Sequence, residues 1–207
     1  MTAQKTALRR LVADIRACRV CVEAPAGKRL PHAPRPVLRV STTARLLVCS
    51  QAPGTKVHQS GISFSDRSGD RLREWMGVTN EEFYDEARVA VVPMGFCFPG
   101  QDAKGGDLPP RPECAPLWHR RLFAALEQVE LVLAVGSYAQ DWLLGAAAGP
   151  NLQATMLDWR KHLRRKTRPR IFPLPHPSWR NNAWLKQNDW FEAELLPVLR
   201  REVRRLL

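Results

Sequence analysis

Four short apolar runs, separated by stretches of helical periodicity, constrain the fold of this chain more than any other feature. They are RLLVC at 45–49, RVAVVPM at 88–94, ELVLAV at 130–135 and RIFPL at 170–174. Each has strand length, is rich in branched residues and is bounded by turn signals. Helical patterns lie between them at 70–76, 115–127 and 138–144, with a further stretch near 152–163. A helix over 4–17, carrying Leu8, Leu11, Val12 and Ile15 at helical spacing, precedes the first run, and an amphipathic helix over 190–207 closes the chain. Strands alternating with helices imply an α/β fold: a three-layer α/β/α sandwich around a central four-stranded, mostly parallel sheet. The 207 residues suit one domain, 1–207.

In open α/β sheets, ligands sit beyond the carboxyl ends of the strands, so the residues following each run become the places to look. After the first run comes SQAPGTKVHQSGISFSDRSGDRLREW, residues 50–75. Pro53 and Gly54 turn the chain sharply, and the loop brings Gln51, His58, Phe64, Asp66 and Asp70 to a strand end. A carboxylate, an aromatic ring and free backbone N–H groups suit a planar heterocycle and an activated water; the bland reading is a solvated connection in which Phe64 plugs the core. After the last run comes LPHPSWRNN, where Pro175 and Pro177 restrict the backbone on either side of His176.

Charge narrows the partner. Thirty-two Lys and Arg against twenty Asp and Glu give a formal net charge of +12, which favours a polyanion. The excess peaks at 160–170, RKHLRRKTRPR, and at 200–205. Cations at 160–170 are expected to neutralise phosphates just before the His176 loop; a solvated helix face is the plain alternative. No apolar run is long enough for a membrane span, and the amphipathic start lacks the apolar core of a signal peptide, so a cytoplasmic monomer is the expectation. Five cysteines, an odd number, argue against a disulfide framework. Cys18 and Cys21 have the spacing of a metal knuckle; Cys97 and Cys114 follow, and Cys49 lies in the first apolar run as a core residue.

SQAPG after the first run, SGISFSDRSGD behind it, and HPSWRNN after the last run together resemble the uracil-DNA glycosylase superfamily, most closely its iron–sulfur branches, families four and five. The resemblance spans roughly residues 13–182. It implies excision of uracil from DNA in base excision repair, by water attack on the N-glycosidic bond of a flipped deoxyuridine. It implies a structural [4Fe–4S] cluster on Cys18, Cys21, Cys97 and Cys114, with zinc as the second choice for four thiolates; four unconnected thiols are the alternative.

By the same resemblance His176 hydrogen-bonds uracil O2 as charge develops on the leaving base, and Phe64 stacks on the base. The family's acid is missing from the first loop, where Gln51 and Ala52 stand; both remain substrate-binding candidates. Asp66 then becomes the residue that orients water, with His58 as second choice, and Asp70 is expected as the helix N-cap. Ser178, Trp179 and Arg180 form a wedge that fills the gap left by the flipped base, unless Trp179 packs on the last helix. No Asn stands before Cys97 to read uracil; Asn181 or Asn182 is the substitute. Tyr138 and Gln140 either line the pocket or pack a helix start. Two other readings compete with the enzyme: a protein that grips uracil-containing DNA with weak turnover or acts on another deaminated base, and a metal-bearing α/β protein for RNA or a nucleotide.

Overall fold

In the computed structural model, which describes residues 2–207, the four runs form β1 (Leu46–Ser50), β2 (Val89–Pro93), β3 (Leu131–Val135) and β4 (Arg170–Leu174). They make one sheet in the order β2-β1-β3-β4, and every pairing is parallel. The expected "mostly parallel" sheet is thus parallel throughout.

The strands are apolar along their whole length because both faces are covered. Successive side chains point to opposite faces. Leu46 and Val48 of β1 join Val89, Val91, Leu131, Leu133, Phe172 and Leu174 in one core. Leu47 and Cys49 join Ala90, Val92, Val132, Ala134 and Ile171 in the other. The first core is closed by the helices Arg67–Met76 and Leu196–Arg204, through Leu72, Trp75, Met76, Leu199 and Val203. The second is closed by Thr2–Arg16, through Leu8, Leu11 and Ile15, and by Leu122, Ala139 and Leu144. Two layers of helix on one sheet make the three-layer sandwich. Cys49 is fully buried, and burial pushes its thiol pKa up, as a core cysteine requires.

Two helical expectations change in detail. The 152–163 stretch is two helices, Leu152–Leu157 and Trp159–Arg164, meeting at Asp158. The 115–127 stretch is a wide turn, Ala115–His119, running into the helix Arg120–Ala125. None of the helices described is long and apolar enough to cross a membrane.

One consequence of the parallel sheet corrects the expected DNA footprint. Each crossover returns the chain to the amino end of the sheet before the next strand begins. The basic run therefore stops at Arg170, where β4 starts, whereas His176 follows the strand's other end. Five residues at about 3.3 Å each separate the two ends by roughly 16 Å. The run does not adjoin the His176 loop.

Candidate active site at the carboxyl end of the sheet

Beyond the carboxyl ends of the strands lies a cleft of about 480 Å³. Its floor is the β1 exit, Ser50–Gly54, with Pro93 from the β2 exit; Phe64, Asp66 and Ser68 form one side. His176, Ser178, Trp179, Arg180 and Asn181 form another, and Gln101, Gly105 and Asp107 a third. All nine residues expected at the reacting centre or on the substrate line this one cleft: Gln51, Ala52, Phe64, Asp66, His176, Ser178, Trp179, Arg180 and Asn181.

The FSDRSGD loop is held by its own backbone. Phe64 has φ +57°, the left-handed region that a bulky residue adopts only under constraint. Its carbonyl accepts from Arg73 Nη1 at 3.1 Å and from Tyr84 Oη at 3.0 Å. Gly69 packs onto the same carbonyl so closely that a Cβ there would stand 1.8 Å from the oxygen. The Phe64 ring is mostly core, meeting Phe83 edge-on, yet it also borders the cleft. Core plug and cleft wall are one residue.

Asp66, not Asp70, caps the helix Arg67–Met76. Its backbone is extended, and its Oδ1 accepts from Gly69 N at 3.0 Å. That bond fixes the carboxylate beside the cleft. Asp70 lies inside the first turn, pairs with Arg73 at 2.7 Å and is exposed. Both aspartates offered cap chemistry in the sequence; the turn at Phe64 and the close approach of Gly69 start the helix at the earlier one.

His176 sits over Gly136, whose φ of +84° explains the glycine at the β3 exit. Asn181 Nδ2 donates to the His176 carbonyl at 2.6 Å, so its amide holds the loop. Asn182 Oδ1 accepts from Arg71 at 2.8 Å and does the same. Burial pushes the His176 pKa below the ordinary imidazole value; the carboxylates Asp66 and Asp107 pull the other way without prevailing. The imidazole is therefore neutral at physiological pH, able to donate one hydrogen bond without carrying charge.

Asp107 was not evident from sequence. It sits on a tight hairpin in which Gln101 pairs with Asp107 and Asp102 N donates to Gly106 O at 2.8 Å. Its carboxylate lies against the β1 exit: a Cβ on Gly54 would be 3.3 Å from Asp107 Oδ2. The only sequence signal is the glycine-rich turn AKGGD, which marks a turn but not its target.

Trp179 is 72% exposed, which rules out packing on the last helix. The Arg180 guanidinium lies over its ring, 5.6 Å from the centroid. Three residues fall elsewhere. His58 makes tilted ring contacts with His32 and Phe98 and does not line the cleft. Gln140 is buried and donates to the Leu174 carbonyl at 2.8 Å, so it packs. Tyr138 is exposed and also lies off the cleft.

The four spaced cysteines come together from three segments. Cys97 interacts electrostatically with Cys18 and Cys21, and Cys114 with Cys21 and Cys97; none is in a disulfide. A hydrogen bond with Cys114, helped by Arg111, lowers the Cys21 thiol pKa to about 7 against burial, while burial first pushes Cys97 up to about 12. Arg111 also pairs with Glu113 at 2.7 Å and donates to Lys28 O at 2.7 Å. Among the described residues no group of three or more His, Cys, Asp or Glu side chains is arranged to hold a single metal ion.

The family model described as Uracil DNA glycosylase superfamily matches residues 39–200 of this chain.

Proposed function

This chain belongs to the uracil DNA glycosylase superfamily, whose members are typically DNA glycosylases, and from that premise we propose that it is a monofunctional enzyme hydrolysing the N-glycosidic bond of flipped-out deoxyuridine. The observation that carries this reading is the meeting of a half-buried imidazole, its pKa held below the ordinary value by desolvation, with two carboxylates, Asp66 and Asp107, around one cleft.

A target base must leave the stack before its glycosidic bond can be reached. Trp179, exposed at the rim with Arg180 against it, fills the gap, offsetting part of an unstacking cost of a few kcal/mol. Phe64 offers a ring to the base, and Gln51 its amide or backbone N–H. As the bond from sugar to base N1 breaks, its electron pair leaves with the base. His176 then donates to O2, where negative charge develops; in a site that excludes water, this is the kind of stabilisation that dominates many enzymes.

Water attacks the sugar carbon and passes a proton to a carboxylate. Asp66 has one oxygen committed to Gly69 N, which orients the other for that water. Asp107, against the Gly54 backbone, adds negative charge facing the cationic sugar and supplies an acid on the side where Gln51 and Ala52 have none. No lysine lines the cleft among the described residues, which supports water rather than an amine as nucleophile.

We propose that Cys18, Cys21, Cys97 and Cys114 would hold a [4Fe–4S] cluster, since the four thiols come from three segments and act on one another's ionisation; zinc is the second choice for four thiolates. Held by these residues, such a cluster would tie the segment after helix Thr2–Arg16, through Cys18 and Cys21, to the loops after β2 that carry Cys97 and Cys114. Cys18→Ser is expected to remove the visible absorbance and bound iron of protein prepared without oxygen. A colourless, iron-free wild type rejects the cluster.

The deciding assay uses labelled oligonucleotides with one uracil, single-stranded or paired with G or A. Strand breakage that appears only after alkali shows base release. An intact, shifted band without release favours a binding protein or a glycosylase for another deaminated base. That second reading rests on Pro93, which lines the cleft wall where the family's uracil-reading Asn is absent.

A further inference from the structure

At the amino end of the sheet, on the pole opposite the cleft, the basic run folds into a second concave surface. This groove, about 610 Å³, is walled by Arg164, Arg165, Lys166, Arg168, Arg170 and Arg205. Among the described residues two carboxylates, Glu130 and Glu202, face it, and both are taken. Glu202 pairs with Arg170 at 2.7 Å and Arg205 at 3.5 Å. Glu130 pairs with Arg45 at 2.7 Å, and that contact first holds its carboxyl below the usual range; Arg205 and Arg168 act on it only as weaker charges.

Of the seven cations in the run, Arg160 pairs with Glu194, Lys161 with Asp158 and Arg170 with Glu202. Arg164, Arg165, Lys166 and Arg168 make no ion pair among the described residues, and all four are exposed. Like charges packed this closely repel one another, and apart from the weak attraction between Arg168 and Glu130 no carboxylate is shown to offset these four. They are arranged for an anion from outside.

The composition of the surface selects the anion. Protein interfaces are anchored by aromatic and apolar side chains at their centre. Among the described residues no large exposed hydrophobic side chain lies in the groove; its apolar member, Leu163, is half-buried against the core. A surface of flexible, unpaired cations without an apolar anchor suits a repeating line of phosphates, contacted without regard to sequence.

We propose that the amino end of the sheet is a second, sequence-independent binding surface for the phosphate backbone of duplex DNA. A duplex seated on the cleft meets the other end of the strands, so this surface holds a different segment, and one molecule bridges two. The surface itself does not depend on which base the cleft excises.

The test uses two undamaged duplexes, one carrying a donor dye and one an acceptor, mixed with the full-length protein at low salt. The wild type brings the dyes together. The triple variant Arg165→Gln, Lys166→Gln, Arg168→Gln needs at least tenfold more protein for the same transfer, while its single-turnover excision on a short uracil oligonucleotide stays within twofold of wild type. These side chains are exposed and unpaired, so melting curves should match. Removing three phosphate contacts also flattens the log–log salt dependence of bridging by about 3. Unchanged bridging in the variant, or no bridging by the wild type, overturns the proposal. So does equal competition by polyglutamate, which would point to an acidic protein, or dye transfer that tracks self-association in light scattering. A wild type that bridges but excises nothing would sink the cleft reading and leave this one standing.

Discussion

At the carboxyl end of the sheet, the chain leaves β1 and β4 into loops whose polar groups are locked to one another; at the amino end, the chain enters β4 through a run in which four of seven cations form no ion pair among the described residues. Asp66 is tied to Gly69 N, the His176 carbonyl to Asn181, and the half-buried imidazole sits over Gly136. Arg164, Arg165, Lys166 and Arg168 are exposed and unpaired among the described residues. One end invests in position, the other in density of charge. Bond breaking needs groups held in place before the reaction begins. Phosphate binding needs only many cations, because counterion release rewards number over geometry.

The comparison breaks first, and most visibly, at the catalytic pair. His176→Ala and Asp66→Asn are each expected to slow single-turnover excision by about 10²- to 10⁴-fold with DNA binding retained. Asp107→Asn, which acts through charge alone, should cost about tenfold, one pKa unit's worth of interaction. If Asp107→Asn costs more than Asp66→Asn, the two carboxylates exchange roles and Asp66 is chiefly a helix cap. Unchanged excision in His176→Ala would remove the imidazole from the mechanism.

A smaller effect separates titratable from permanent charge. Burial is the first cause that lowers the pKa of His58, His119, His162 and His176. As pH falls through about 6.5 the unfolded chain takes up protons that the native chain refuses, so the native state loses stability on the acid side. The melting temperature should therefore drop by a few degrees between about pH 7.5 and 5.5. The excision rate should show no midpoint at about 6.5, because desolvation holds the native His176 pKa below that value. A rate that falls with a midpoint near the ordinary imidazole value would show His176 working in its charged form.

The strands were legible because their information is local. Continuous branched apolar runs between turn residues gave all four strands within one residue of their observed bounds, and β4 at both of its ends. The layers followed from the alternation of strand and helix. The cleft's main residues were legible for the same reason: the loop after the first strand and the loop after the last must open at the same end of a parallel sheet, so Gln51, Asp66 and His176 had to meet there.

What the sequence left open depends on approaches between distant segments. Asp66 and Asp70 both carry a capping side chain, and only the packing of Gly69 on the Phe64 carbonyl selects the first. Asp107 belongs to the cleft because a hairpin after β2 folds back onto Gly54, a contact between residues more than fifty positions apart. His58, one helix away from the same loop, turns instead toward His32 and Phe98. The basic run is six residues from His176 in the chain, yet an extended strand between them puts the two at opposite poles. Periodicity and turn chemistry are written in neighbours along the chain; which surfaces face each other is decided by how the crossovers pack, and that is a property of the folded molecule alone.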